Sequence, residues 1–486
     1  MSIKNGLAAR LSRPADLTQG TPWRVILRYA APIMLSYFLQ QIYVLTDAII
    51  CGQVLSAPEV AGVNDTSPLT FIFLQFAFGC TTGFSVLTAR SVGEKDAAGV
   101  RRSFASQILL SLVISAVLTT ASLLLLPWML GLIHVTPANP EVYRAAYTYC
   151  FVIFLGIVAQ MGYNLVCGVL RAYGDSVSPL LFLLVSTALN IGLDILFLAG
   201  FRMGPAGAAA ATVLAQLLSV VGCLVYTFLR YPELRLSRDD WRVGLPSLRA
   251  HLMQGVPLGL QFSILAVGII VMQGAVVRFD LTPDGTMVTG TPAQNGYGAA
   301  CKLVNFLMAP YNGLGAAILG FNAQNYGRRD FRRIRRGTLQ TLVIMLIATA
   351  VCMTMGFLLS IGGAYQYIFM SADKISEASI RFGNTYIYVA LLFYVFLGFL
   401  IVTRSAVQGI FRTGFVLGAG TAELTARILI CSLLPQIVNG GPIMAGASDL
   451  AFAAVCFGDP GAWILASVVL ALSGIFWVDQ RHPKSV

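Results

Sequence analysis

The chain is built of long apolar runs separated by short polar ones, and most of the short ones are basic. Apolar stretches occupy 29–51, 66–89, 103–126, 145–169, 177–200, 206–229, 252–277, 298–320, 338–361, 383–403, 416–436 and 460–478. Each is long enough to cross a hydrocarbon core of about 30 Å as an α-helix. None alternates apolar and polar residues with the period of a membrane strand, so helices rather than a barrel are predicted. Residues 437–459 are Gly-rich and only moderately polar, which leaves the edges of the last two spans the least sharply drawn.

Composition turns this pattern into a class. Apolar residues make up 57% of the chain and charged residues 11%, against about 25% charged in soluble domains. A soluble enzyme is excluded, and no nucleophile–base constellation appears. The first run follows a basic tail and lacks a small-residue cleavage site, so it reads as a span, not a signal peptide. The cysteines at 51, 80, 150, 167, 223, 301, 352, 431 and 456 form no CxxC pair and read as small packing residues. His134, His251 and His482 are too scattered to suggest a metal site.

The net charge of +11 reads as topology. Lys4, Arg10, Arg13, Arg24 and Arg28 precede the first span, and Lys95, Arg101 and Arg102 follow the second. Arg171 follows the fourth, a run of arginines from Arg230 to Arg249 the sixth, and the cluster Arg328 to Arg336 the eighth. Arg404 and Arg412 follow the tenth, and Arg481 and Lys484 the last. The alternate loops are poor in basic residues, so the positive-inside rule places both termini in the cytoplasm. FRRIRRG is therefore a cytoplasmic loop, and no nucleic-acid partner is expected. The sequon Asn64-Asp65-Thr66 is placed in an external loop against the second span.

The chain also repeats itself. TARSVGEKDAAGVRRSF (88–104) matches NAQNYGRRDFRRIRRGT (322–338) at a constant offset of 234: Ala89 meets Ala323, Gly93 meets Gly327, and Asp96 meets Asp330. GVLRAYG (168–174) echoes GIFRTG (409–414), and Pro32 echoes Pro257. Six spans per half is an even number, so both halves start on the same side as parallel repeats. The expected organisation is a tail at 1–22, an N-lobe at 23–230, a linker at 231–250, a C-lobe at 251–480 and a tail at 481–486. The fold class expected is an all-α polytopic membrane protein, with twelve transmembrane helices in two pseudo-symmetric six-helix lobes around a central cavity. No GxxxxGK[ST] loop occurs, so an ion gradient is the natural energy source.

Acids inside the spans carry the candidate chemistry. Asp47 lies in the first and Asp194 in the fifth, four residues after Asn190. A carboxylate at helix-centre depth costs roughly 2.5–3.5 kcal/mol to insert, and such residues survive where they face a bundle interior or a wet cavity. Asn190 and Asp194 share one helical face. Glu423 and Arg427, also at i,i+4, form the only close charge pair in the second half and read as a structural ion pair. Gln40, Tyr43, Gln160, Tyr163, Asn164 and Gln261 are polar positions available to line a substrate cavity.

The ordered set Gln40-Gln41…Asp47, TARSVGEKD, GVLRAYGDSVSP, LNIGLD, GPAGAAAAT and GFNAQNYGRRD resembles the multidrug and toxic compound extrusion (MATE) transporters, in particular their prokaryotic DinF-like branch. The resemblance covers nearly the whole chain. It implies a cation-coupling site at Asp47, Asn190, Asp194 and Thr212, with Na+ or H+ as coupling ion and no cofactor. An all-oxygen set of this kind suits a hard cation, while two acids in one dry site could equally hold a proton. The departure is in span 7, where GVPLGLQFSILAVGIIVMQ carries glutamines but not the acid of NorM-type members. The reading is a secondary antiporter exporting amphipathic, cationic organic compounds, a functional monomer in a prokaryotic inner membrane. The alternative is a lipid-linked oligosaccharide flippase of the same superfamily. A channel fits duplicated six-span halves with buried acids poorly.

Overall fold

The computed structural model describes residues 14–133, 135–371 and 375–477. Lys4, Arg10, Arg13, His134, Arg481, His482 and Lys484, with the tail 481–486, lie outside the described residues. The helices are α1 Pro22–Val54, α2 Ala57–Glu94, α3 Ala97–Leu132, α4 Pro140–Leu155, α5 Ile157–Ala172, α6 Val177–Asp194, α7 Pro205–Arg230, α8 Leu245–Val277 and α9 Pro292–Leu307. They continue as α10 Ala309–Gly327, α11 Phe331–Ser360, α12 Ala364–Phe369, α13 Glu377–Leu392, α14 Tyr394–Gly409, α15 Thr413–Asn439, α16 Asp449–Cys456 and α17 Gly458–Ala471. Among the described residues, 9 helical stretches are individually long and apolar enough to cross a bilayer. Three bent pairs, α4–α5 (43°), α9–α10 (41°) and α13–α14 (56°), bring the spans to 12 when each counts once. This is an all-α, multi-pass membrane architecture.

Several boundaries differ from those the apolar runs suggest. Helix α2 begins at Ala57, where the Glu59 carboxylate accepts from the Ser56 N–H at 2.9 Å and caps the first turn. The sequon at 64–66 therefore lies within a helix and not in an external loop. Polar residues tolerated inside α2 hid the true start: Thr66 and Thr70 return their hydroxyls to the backbone of the preceding turn. Arg404 does not follow the tenth span but sits within α14. The last span begins at Asp449, capped by the Ser448 hydroxyl, and so takes in residues that composition alone assigns to a loop.

The chain divides into two compact units. One runs to Ser263 and takes in Leu319–Ile334; the other comprises Ile264–Ile318 and the chain from Arg335 onward. In the first, α2 packs on α4 and α5, α7 on α5 and α6, and α1 on α6. In the second, α15 packs on α16 and α17, α9 on α13, and α14 on α17.

Within the first unit α2 crosses α8 through facing small-residue motifs, Gly79-Cys-Thr-Thr-Gly83 and Gly255-Val-Pro-Leu-Gly259. A Cβ at Gly79 would lie 2.6 Å from the Gly259 Cα, and one at Gly83 2.6 Å from the Gly255 Cα. In lipid, where burial of apolar surface does not drive helices together, such backbone contact supplies the attraction. Gly83→Val is expected to cost about 1–3 kcal/mol by overpacking, read as a lowered melting temperature in detergent. Gly131→Ala, where a Cβ meets nothing within 4 Å, should leave the melt unchanged. Equal melts for the two variants would refute the close crossing.

The duplicated turns have the same geometry. Lys95 and Arg329 are both left-handed, at φ 59° and 58°. Asp96 caps α3 by accepting from the Gly99 N–H at 2.9 Å, and Asp330 caps α11 by accepting from the Arg333 N–H at 3.0 Å. The Asp96 N–H donates to the Ser91 carbonyl at 3.1 Å and the Asp330 N–H to that of Asn325 at 3.0 Å. Both turns belong to the first unit, where they also touch: a Cβ on Gly93 would strike the Gln324 backbone, and one on Gly327 the Arg90 carbonyl.

Candidate functional site

Helix α1 presents Tyr43 and Asp47 one turn apart, and between Tyr37 and Ile50 it has no fully buried residue. This loosely packed stretch brings a half-buried Asp47 against α6. On α6, Asn190 is 2% exposed and Asp194 is fully buried. Directly after Asp194 the helix widens into a π-helical turn, Ile195–Gly200, a distortion that often accompanies functional sites. Helix α7 brings Thr212 into place, with the Asn190 amide donating to its hydroxyl at 3.5 Å.

The Asp47 and Asp194 carboxyls face each other, and the Tyr43 hydroxyl meets that of Thr212. Four acceptor oxygens, Asp47 Oδ1, Asn190 Oδ1 and both carboxyl oxygens of Asp194, are buried with no hydrogen-bond partner. Buried polar atoms are ordinarily satisfied, and an ionised carboxylate only accepts. Acceptors of this kind take a donor, a water, a proton or a cation as partner. An apolar group of Cys51, Leu55, Leu198 and Ala208, with Tyr149 against it, packs beside the acids. Leu198 comes from the π-turn, so the same distortion that follows Asp194 also helps to shield it. Among the described residues no group of three or more His, Cys, Asp or Glu is arranged to hold a metal ion; the acid cluster is two carboxylates with neutral oxygens beside them.

The other candidates divide. Tyr43 joins the acid cluster, and Tyr149 on α4 lies beside Asp47 as well. Sequence gave no signal for Tyr149, one of several aromatics on its helix. Gln160 accepts from Gln216 at 3.1 Å, Tyr163 neighbours Cys167, and Gln40 is exposed. Asn164 has a buried amide nitrogen without a partner, and Gln261 is fully buried with both amide atoms unpartnered.

In the second unit, Glu423 and Arg427 lie 3.8 Å apart but belong to a longer chain of charges. Glu423 bonds Arg404 of α14 more closely. Arg427 gives Nε and Nη2 to one oxygen of Asp459 at 3.0 and 2.7 Å, and Tyr386 donates to the other at 2.9 Å. Two arginines and two carboxylates cancel. Gly268 makes room for the cluster, because a Cβ there would sit 2.5 Å from Arg427 Nη1. Asp459 escaped sequence reading because it falls one residue before the apolar run that marks the last span.

The MatE family model matches residues 32–196 and 287–438, well over half of the chain. The protein belongs to the MatE family. It is 27% identical over 322 residues to a probable multidrug resistance protein, YpnP, of Bacillus subtilis (strain 168), covering 66% of this chain and 68% of that one. It is 24% identical over 363 residues to the DNA damage-inducible protein F of Escherichia coli (strain K12), covering 72% and 74%. A solved MOP superfamily transporter from Pyrococcus furiosus superposes with a TM-score of 0.81 at 20% identity, covering 95% of this chain and 98% of that one. The likeness establishes the fold, and the family is one of transporters, not enzymes.

Proposed function

We propose that this MatE protein is a secondary active antiporter that exports amphipathic, cationic organic compounds in exchange for Na+ or H+. It would work in a prokaryotic inner membrane as a functional monomer with both termini in the cytoplasm. The observation that carries the reading is the facing pair Asp47 and Asp194, surrounded by acceptor oxygens that have no donor. With Asn190 and Thr212 they make a site that a monovalent cation or a shared proton would complete. Na+ would take the carboxylate, amide and hydroxyl oxygens as ligands; a proton would bridge the carboxyls. Either ion would bias the packing of α1 against α6, and coupling requires that ion and drug favour different states.

The driving force is adequate. One charge moved through about 100 mV yields about 2.3 kcal/mol, and one pH unit about 1.4 kcal/mol. The test is efflux of a fluorescent cationic dye from proteoliposomes, with a Na+ gradient and a pH gradient imposed separately. Movement driven by one of them names the coupling ion. No gradient-driven movement by folded protein overturns the antiport reading and turns attention to flipping of a labelled lipid-linked sugar.

A further inference from the structure

The residues ahead of α1 are held along their backbone. The Ala15 N–H donates to the Gly174 carbonyl at 3.0 Å, which the positive φ of Gly174 (85°) allows at close approach. The Leu17 carbonyl accepts from Asn325 Nδ2 and Arg333 Nη2, both at 3.1 Å. Arg333 also reaches the carbonyls of Gln19 at 2.7 Å and Gly20 at 2.6 Å, while Arg328 donates to the Thr18 hydroxyl at 2.9 Å. Leu17 is the apolar anchor, fully buried. Beside the strap, Gln324 donates to the Ala172 carbonyl at 2.8 Å and Tyr29 to that of Arg171 at 2.7 Å.

Three of the family-like motifs thus converge here: the end of α2 at Gly93, the end of α5 at 171–174, and the α10–α11 junction at 324–333. The strap contributes main-chain carbonyls, the Ala15 N–H, the Thr18 hydroxyl and one leucine. The arginine contributes a planar fork that spans carbonyls of nearby residues, a geometry lysine cannot reproduce. Several of these bonds are exposed to water. Such contacts can break and re-form without opening a buried core.

We propose that the strap Pro14–Gly20 is a latch. It ties the end of α5 to the α10–α11 junction on the face that the basic residues assign to the cytoplasm, and it must release Arg333 and Asn325 before that face opens. The inference rests on the transport reading for its purpose, but its first readout does not require transport.

Ala323, fully buried near the meeting point, is replaced as Ala323→Cys and labelled in inside-out vesicles with a membrane-impermeant maleimide, against a background lacking that substitution. Labelling should be slow with Arg333 intact. It should rise about tenfold with Arg333→Ala, the shift expected when hydrogen bonds from a charged donor are lost, and less with Arg333→Lys. Unchanged labelling in Arg333→Ala overturns the latch. Should Ala323→Cys fail to fold, the pair Thr18→Cys and Arg328→Cys, joined by a short reducible thiol cross-linker, decides instead. Dye efflux should stop on cross-linking and return on reduction; efflux at the unlinked rate overturns the proposal. If the unlinked protein moves no dye, the antiport reading has failed, and the same pair then decides the latch through labelling of a third cysteine, Ala89→Cys, which cross-linking should suppress. Unchanged Ala89→Cys labelling on cross-linking also overturns it.

Discussion

Asp194→Asn is expected to reduce gradient-driven dye efflux by about a hundredfold, near the upper end of ordinary coupling energies, and Asp47→Asn to do the same. The reasoning is local. Four buried acceptor oxygens of the site have no donor of their own, and a cation or proton would satisfy them. An asparagine at 194 supplies two N–H donors within reach of Asp47, satisfying the site permanently and removing the charge that the ion would neutralise. The variant should therefore fold at least as stably as the parent while losing coupling. That combination separates a coupling role from a structural one: a structural carboxylate would lower the melting temperature when replaced and leave efflux intact. Unaltered ion-driven export in both variants would sink the proposed mechanism.

The second large effect falls in the other unit and concerns stability. Arg427→Met removes the cation that faces Asp459 and Glu423 in a membrane-spanning bundle. Breaking a buried pair from one side costs about 3–5 kcal/mol, because the remaining charge stays without a partner in low dielectric. The loss should appear as a melting temperature several degrees lower in detergent. Arg427→Met combined with Asp459→Leu should recover much of it, since a well-packed apolar replacement of a buried pair is often close to neutral. A double variant no better than the single would mean that Arg427 acts by packing against Gly268 and not by charge.

The spans were legible because lipid exposure writes itself into composition; their bends were not. The breaks at Gly156 and Phe393 involve no proline and arise from packing that one chain position does not reveal, whereas the break at Met308 lies two residues before Pro310, which has no N–H to carry the helix on. Asn190 and Asp194 could be paired from their spacing alone, since a helix fixes i,i+4 neighbours. Asp47 stood out as an acid inside a span and Thr212 came from resemblance, and the approach of both to α6 depends on helix rotation that sequence leaves free. The π-turn after Asp194 had no local signal. Asp459 and Arg404 were set outside their spans because a window that favours apolar residues trims charged ends. The motif residues had a physical meaning that the sequence could not state. Gly93 and Gly327 permit backbone contact, and Gly174 adopts a positive φ. Asp175 accepts from the Val177 and Ser178 N–H groups, at 3.2 and 2.9 Å, at the start of α6.

The contact between the two duplicated turns is self-complementary. Arg90 and Gln324 are equivalent positions in the repeat, as are Gly93 and Gly327, so each glycine meets the counterpart of the residue beside the other. In an oligomer such a contact would be isologous: one patch used twice, unchanged when the partners are exchanged. A single six-span ancestor could have made it with a second copy of itself. Fusion of two genes would then have preserved an existing dimer seam. A seam of two equal halves around one point also opens in both together, since separating one glycine from its partner separates the other. On the latch proposal, opening at this point would therefore part both contacts at once.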